Sequence, residues 1–164
     1  MNVRNTLLIF GTILFVLSGC SDDAPTSQNS VKLNGQSFKI TAATIAGVAI
    51  DGDGHAAISF VNATSTTSKT LSIDVEYSGD SNVAGSYSYP QQAGDRLLID
   101  ALTYYSEMSQ STMYSTTLAS GSVTITKNGG NTYTVEMDLI MDDGKVFSGT
   151  YKGPFIAQFS NQNI

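Results

Sequence analysis

The chain has no tryptophan, one cysteine and one histidine among its 164 residues. Each shortage excludes something. A single cysteine cannot form a disulfide within the chain, so the fold must rest on its hydrophobic core. A single histidine, His55, means that any nucleophilic triad would have to be built on that residue. Basic residues are also scarce: eight Lys and Arg stand against 14 Asp and Glu, for a net charge of −6. Nucleic-acid binding needs clustered Lys and Arg to displace counterions, and no such cluster occurs, so nucleic acid is excluded as a partner. A polybasic face for an anionic membrane surface is missing too. Long apolar runs are absent except for Leu7 to Leu17, LLIFGTILFVL, which contains no charged residue.

That run follows a short start carrying Arg4 and leads into small residues, the layout of a secretory signal. It falls short of the about 20 residues a transmembrane helix requires. Leu17-Ser18-Gly19-Cys20 resembles the lipobox of bacterial lipoproteins. The resemblance implies a diacylglyceryl group on the Cys20 thiol, cleavage before Cys20 and acylation of the new N-terminus. Residues 20–164 then form the mature chain, with seven basic and 14 acidic side chains and a net charge of −7. One acyl chain holds a protein only marginally, whereas several anchor it durably. Ser21 follows the cysteine, so the inner-membrane retention signal is absent. Ser21-Asp22-Asp23 resembles the short acidic export signal of Bacteroidota surface lipoproteins. The expected location is the outer membrane, lipid-anchored and facing out, with the membrane as a partner through that anchor.

Residues 20–30 contain the lipidated cysteine and then SDDAPTSQNS, with no large apolar side chain, and read as a flexible tether. One β-domain is expected over 31–164, with no long helix. In TLSIDVEY, Leu71, Ile73, Val75 and Tyr77 share a face; in TYTVEMDLIM, Tyr133, Val135, Met137, Leu139 and Met141 do. A period of two marks half-buried antiparallel strands. Turn signals separate them at Asn34-Gly35, at DGDG (51–54), at SGDSN (78–82), at NGGN (128–131) and at DDG (142–144). A three-residue loop Asp142-Asp143-Gly144 sets Leu139 opposite Phe147 and Val135 opposite Tyr151, the register that keeps both apolar faces on one side. Gly144 then takes the left-handed position. The same reasoning pairs Ile125 with Tyr133 around Asn128-Gly129-Gly130. The sum is an all-β domain of about eight to ten antiparallel strands in a meander, folded as a flattened barrel or a two-sheet sandwich.

The stretches LNGQSF (33–38), GSYSYP (85–90), SGSVTITKNG (120–129) and DGKVFSGTYKG (143–153) resemble, in this order, small β-domain lipoproteins of Bacteroidota, some of them lipocalin-like. These are strand and turn motifs. They imply fold and location and transfer no catalytic residue.

Chemistry-bearing groups are few. Asp51, Asp53 and His55 in DGDGH are the candidate metal ligands. Counted as a calcium loop from Asp51, the sixth and twelfth positions hold Ala56 and Asn62 where Gly and Glu are required, and acidic Gly-rich turns are ordinary hairpin connections. Glu136 with Asp138, and Asp74 with Glu76, stand about 7 Å apart along a strand, a spacing compatible with a carboxylate pair. Both pairs lie opposite the apolar stripe, so the expected setting is solvated. There is no G-x-S-x-G elbow, phosphate loop or zinc motif. Tyr87, Tyr89, Tyr104, Tyr105 and Tyr114 fall close together and are the candidate ligand-binding residues, as a sugar platform or a barrel mouth. Tyrosine is also a strong strand former, which places alternate ones in a core. The expected function is a non-catalytic binding or accessory module without cofactor, whose partner is a small apolar molecule, a glycan or an envelope protein. A structural or adhesive envelope protein is the alternative, and a hydrolase a third.

Overall fold

The computed structural model describes residues 26–50, 53–78 and 82–162. Strands form at β1 Gln28–Asn29, β2 Lys32–Leu33, β3 Gln36–Ser37, β4 Ala42–Ile50, β5 Asp53–Ala63, β6 Thr67–Ser78, β7 Gly85–Tyr89, β8 Arg96–Leu97, β9 Tyr104–Ser109, β10 Met113–Gly129, β11 Thr132–Met141, β12 Val146–Pro154 and β13 Ile156–Gln162. Among the described residues no helix is long and apolar enough to cross a membrane. The domain is all-β, as expected. Among the described residues the strands number 13, more than the eight to ten expected; four of them, β1, β2, β3 and β8, are two-residue pieces. β10 runs through as one strand of 17 residues, with a bulge at Ala119.

One sheet contains all of them, in the order β13-β4-β5-β6-β9-β10-β11-β12-β2-β3, with β1 added to β12, and β7 joining β10 to β8. Pairing is antiparallel except for β13 with β4 and β7 with β8. The sheet does not close; it ends at β13 on one side and β3 on the other. Instead it folds over, and its two halves share one core. Phe60 of β5 lies 5.4 Å from Tyr151 of β12, and Tyr105 of β9 lies 5.0 Å from Phe147 of β12. Phe38 packs edge-on against Phe147 at 5.5 Å, and Phe155 packs against Phe60, Tyr133 and Tyr151. Rings at these separations are in direct contact. The period-two pattern explains the arrangement, since Ile45, Ile58, Phe60, Leu71, Ile73, Val135 and Leu139 all point inward and are fully buried.

Turn chemistry sets the registers. Asn34 (φ 51°) and Gly35 (φ 78°) make the two-residue turn between β2 and β3, the pair of positive φ values that suits a twisted hairpin. The Asp142-Asp143-Gly144 loop gives the expected register, Leu139 opposite Phe147 and Val135 opposite Tyr151. Gly144 has φ 83°, and its N–H donates to the Met141 carbonyl at 2.8 Å. Nothing lies within 4 Å of where its Cβ would be. Gly144→Val therefore carries only the backbone cost, about 1–2 kcal/mol, and a thermal melt should register it; an unchanged melt would show the left-handed position to be dispensable.

Two expectations are corrected. Ile125 pairs with Val135, not Tyr133, because the loop is Gly130-Asn131 and a bulge at Asn128 takes up the extra residue. The shift is two residues, so Ile125 keeps its buried face. Ordered pairing also starts at Gln28 opposite Lys152, three residues before the expected Val31.

Candidate functional site

The inner face of β10 runs Tyr114, Thr116, Leu118. Thr116 and Leu118 are buried, but Tyr114, nearest the strand's start, is 37% exposed. Tyr114 thus stands at the rim of the space between the sheet halves, where the β11–β12 loop reaches across. Its hydroxyl donates to Asp143 Oδ2, which also accepts from Lys145 Nζ. Lys145 Nζ donates to the Tyr114 hydroxyl at 3.0 Å and stands 4.3 Å from the centre of its ring, within cation–π range. Beside them, Glu107 pairs directly with Tyr114 across the β9–β10 ladder. Glu107 accepts from the Tyr105 hydroxyl at 2.8 Å and faces Lys69 Nζ at 3.6 Å. A groove of about 130 Å³ runs here, lined in part by Lys69, Glu107, Thr112 and Tyr114.

The rim holds its charges fixed. Partial desolvation pushes the Asp143 carboxyl up, but hydrogen bonds from Lys145 and Tyr114 outweigh it and bring it from 3.8 down to about 2. The same contacts, first of all the bond to Asp143, raise the Lys145 ammonium above its ordinary value. Burial, then the bond to Glu107, raises the Tyr105 hydroxyl. At neutral pH the Asp143–Lys145 pair stays ionised, which suits bracing or polar recognition and not proton transfer. A depressed carboxylate stabilises the fold above its ordinary value and loses that contribution as pH falls through its folded value. Wild-type stability should therefore fall between about pH 4 and pH 2 through this group, and Asp143→Asn should flatten that part of the curve in acid-titrated melts. An identical pH profile in both proteins would rule the contribution out.

The candidate metal residues sit elsewhere. Asp51 lies outside the described residues. Asp53 and His55 are exposed on the outer face of β5. His55 stands between Val48 and Glu76, so no hydroxyl lies directly opposite it to serve as a nucleophile. Its Nδ1 is 3.5 Å from Asp74 Oδ1, an electrostatic contact too long for a good hydrogen bond. Among the described residues no group of three or more His, Cys, Asp or Glu side chains is arranged to hold a metal ion.

Glu136 and Asp138 are exposed on the outer face, as expected. Asp74 departs from the expected solvated setting and is half-buried. The chain at 99–103 covers it: Ile99 N–H donates to its carbonyl at 2.9 Å, and its own N–H donates to Thr103 Oγ1 at 3.0 Å. Burial raises its carboxyl, and His55 opposes that shift.

The five tyrosines are not brought together. Tyr87 and Tyr105 are fully buried. The Tyr87 hydroxyl donates to the Val83 carbonyl at 2.8 Å, with the Arg96 guanidinium 6.0 Å from its ring. Tyr89 is half-buried beside Asp100. Tyr104 is exposed on the outer face of β9, opposite Ser72 and Thr117. Tyr105 and Tyr114 alone share the rim. Sequence reasoning missed Asp143 and Lys145 there, having read Asp143 only as a turn residue; the available signal was that Tyr114 keeps step with the buried Leu118. Cys20, Ser21, Asp22 and Asp23 lie outside the described residues. No family model, curated protein or solved structure matches this chain.

Proposed function

We propose that this chain is a lipid-anchored outer-membrane lipoprotein, held at the cell surface, whose β-domain is a non-catalytic binding or accessory module. The observation that carries the reading is the lone Cys20, placed where an uncharged apolar run gives way to Ser18 and Gly19. Strand pairing from Gln28 onward supports a short connection. Seven residues, 21–27, separate it from the anchor, and at about 3.4 Å each they span at most roughly 24 Å. The domain thus works close to the membrane.

The ring contacts between the sheet halves favour a surface ligand over an apolar one held inside, because aromatic side chains occupy the shared core. A glycan or an envelope protein, meeting the Tyr114 rim or an outer face, is the partner class this favours. Tyrosine rings and fixed hydrogen-bonding groups are the equipment for such contacts.

Metabolic labelling with a palmitate analogue tests the anchor: wild type should carry the label, and Cys20→Ser should lose it and accumulate as precursor. Label retained by Cys20→Ser would overturn the anchor. Protease added to whole cells should digest wild type, while Asp22→Ala with Asp23→Ala should leave the protein membrane-bound and shielded, since such tags act as receptor-read addresses. Wild type already shielded would overturn the surface location.

A further inference from the structure

β13 pairs with β4 and with no other described strand, and it ends the sheet. Among the described residues, nothing pairs with the backbone N–H and C=O groups of its far edge. Proteins commonly blunt such an edge with Lys, proline, a bulge or extreme shortness. The other end of the sheet follows this rule, with two-residue strands β3 and β2 and an exposed Lys32. β13 does not. It is seven residues long, IAQFSNQ, with no charge and no proline, and its ladder to β4 is unbroken. Ile156 is 59% exposed, and Gln158 and Ser160 are exposed beside it.

We infer that β13 is a self-association edge, at which two copies of this chain join by antiparallel pairing of their β13 strands. Backbone complementarity asks for a strand as occupant. Charge selects a second copy. Each chain is strongly acidic, so two copies repel unless they meet on an uncharged strip. β13 is such a strip, and the outward residues of β4 next to it, Thr44, Ala46 and Val48, extend it without a charge. A basic partner drawn to an acidic protein would find nothing here to pair with. A strand meeting its own copy about a two-fold axis repeats each contact, so a single neutral sequence suffices for both sides. The contact is small and the dimer correspondingly weak, which favours detection by cross-linking in place.

The test uses the full chain expressed in cells with a photo-cross-linking p-benzoylphenylalanine at Ile156, and separately at Thr124, which is exposed on the opposite half of the sheet. The expected result is an adduct of twice the chain's mass from position 156 and none from position 124. Adding Gln158→Lys and Ser160→Lys sets like charges across the paired strands and should abolish the adduct while the melting temperature stays at the wild-type value. No dimer adduct from 156, an equal one from 124, adducts only to other proteins, or a dimer that survives the two lysines in a folded variant would each overturn the inference. The comparison of 156 with 124 needs no charged variant, so it decides even where the double-lysine chain fails to fold.

Discussion

Leu139→Asp should destabilise the domain by on the order of 5 kcal/mol, a large part of the 5–15 kcal/mol that holds a typical domain folded. Leu139 is fully buried on β11, opposite Gly121 on one side and Phe147 on the other. Truncation alone would cost about 2–5 kcal/mol in transfer and cavity terms. The aspartate adds a carboxyl with no partner in an apolar layer, and it must be either desolvated or protonated. Glu136→Lys is the matched control. Glu136 lies three residues away on the same strand, but it points outward between Thr124 and Thr150 and is exposed. Its replacement should stay within about 0.5 kcal/mol. Urea melts of the two proteins should differ widely in midpoint; the reverse ranking would mean that the faces of β11 are assigned backwards.

That face was legible in the sequence because alternation is a strong signal wherever one side of a strand is buried. The β11–β12 register was legible for the same reason, since only one loop length kept Leu139 and Phe147 on the same side. The β10–β11 register was not. Shifting it by two residues leaves every side chain on its own face, so alternation cannot distinguish Ile125 opposite Tyr133 from Ile125 opposite Val135. The bulge at Asn128 decides it, and bulges are set by backbone geometry that no period records. Of the two-residue strands, β2 was legible through the Asn34-Gly35 turn signal beside it, whereas β1 was not, because a pair of residues has no period.

The rim around Tyr114 was half legible. Tyr114 and Tyr105 were named as candidates, yet their shared setting depends on a long-range meeting of β9, β10 and the β11–β12 loop. Asp143 looked like turn chemistry and is that as well: its Oδ1 accepts from the Lys145 N–H at 3.1 Å within the loop. Its second oxygen reaches the tyrosine, and local sequence carries no trace of that. Asp74 shows the same limit. Alternation put it on the outer face correctly, and only the later segment at 99–103 converts that face into a covered one.

Gly149→Ala should cost on the order of 4 kcal/mol, although it adds a single methyl group. Gly149 sits in β12 at φ 121°, a region that L side chains rarely enter and that costs about 1–3 kcal/mol when forced. There is no room either. A Cβ built there would lie 2.5 Å from the Ser30 carbonyl oxygen, 2.9 Å from its carbon and 3.1 Å from Val31 Cα. These are backbone atoms and cannot swing aside as a side chain would. The crossing between β1 and β2 would have to lift off β12. Lifting breaks the Ser30 N–H bond to the Thr150 carbonyl at 2.8 Å and the Thr150 N–H bond to Ser30 Oγ at 3.0 Å, at about 1 kcal/mol each. It also exposes Val31, which is 1% accessible. Amide exchange adds a local readout: Ser30 and Thr150 should lose protection in Gly149→Ala, while Ile58 and Ile73 in the far half of the sheet keep theirs at temperatures where the variant stays folded. A variant as stable as wild type would mean that the chain does not cross β12 there and that the domain begins after Ser30, as alternation alone suggested.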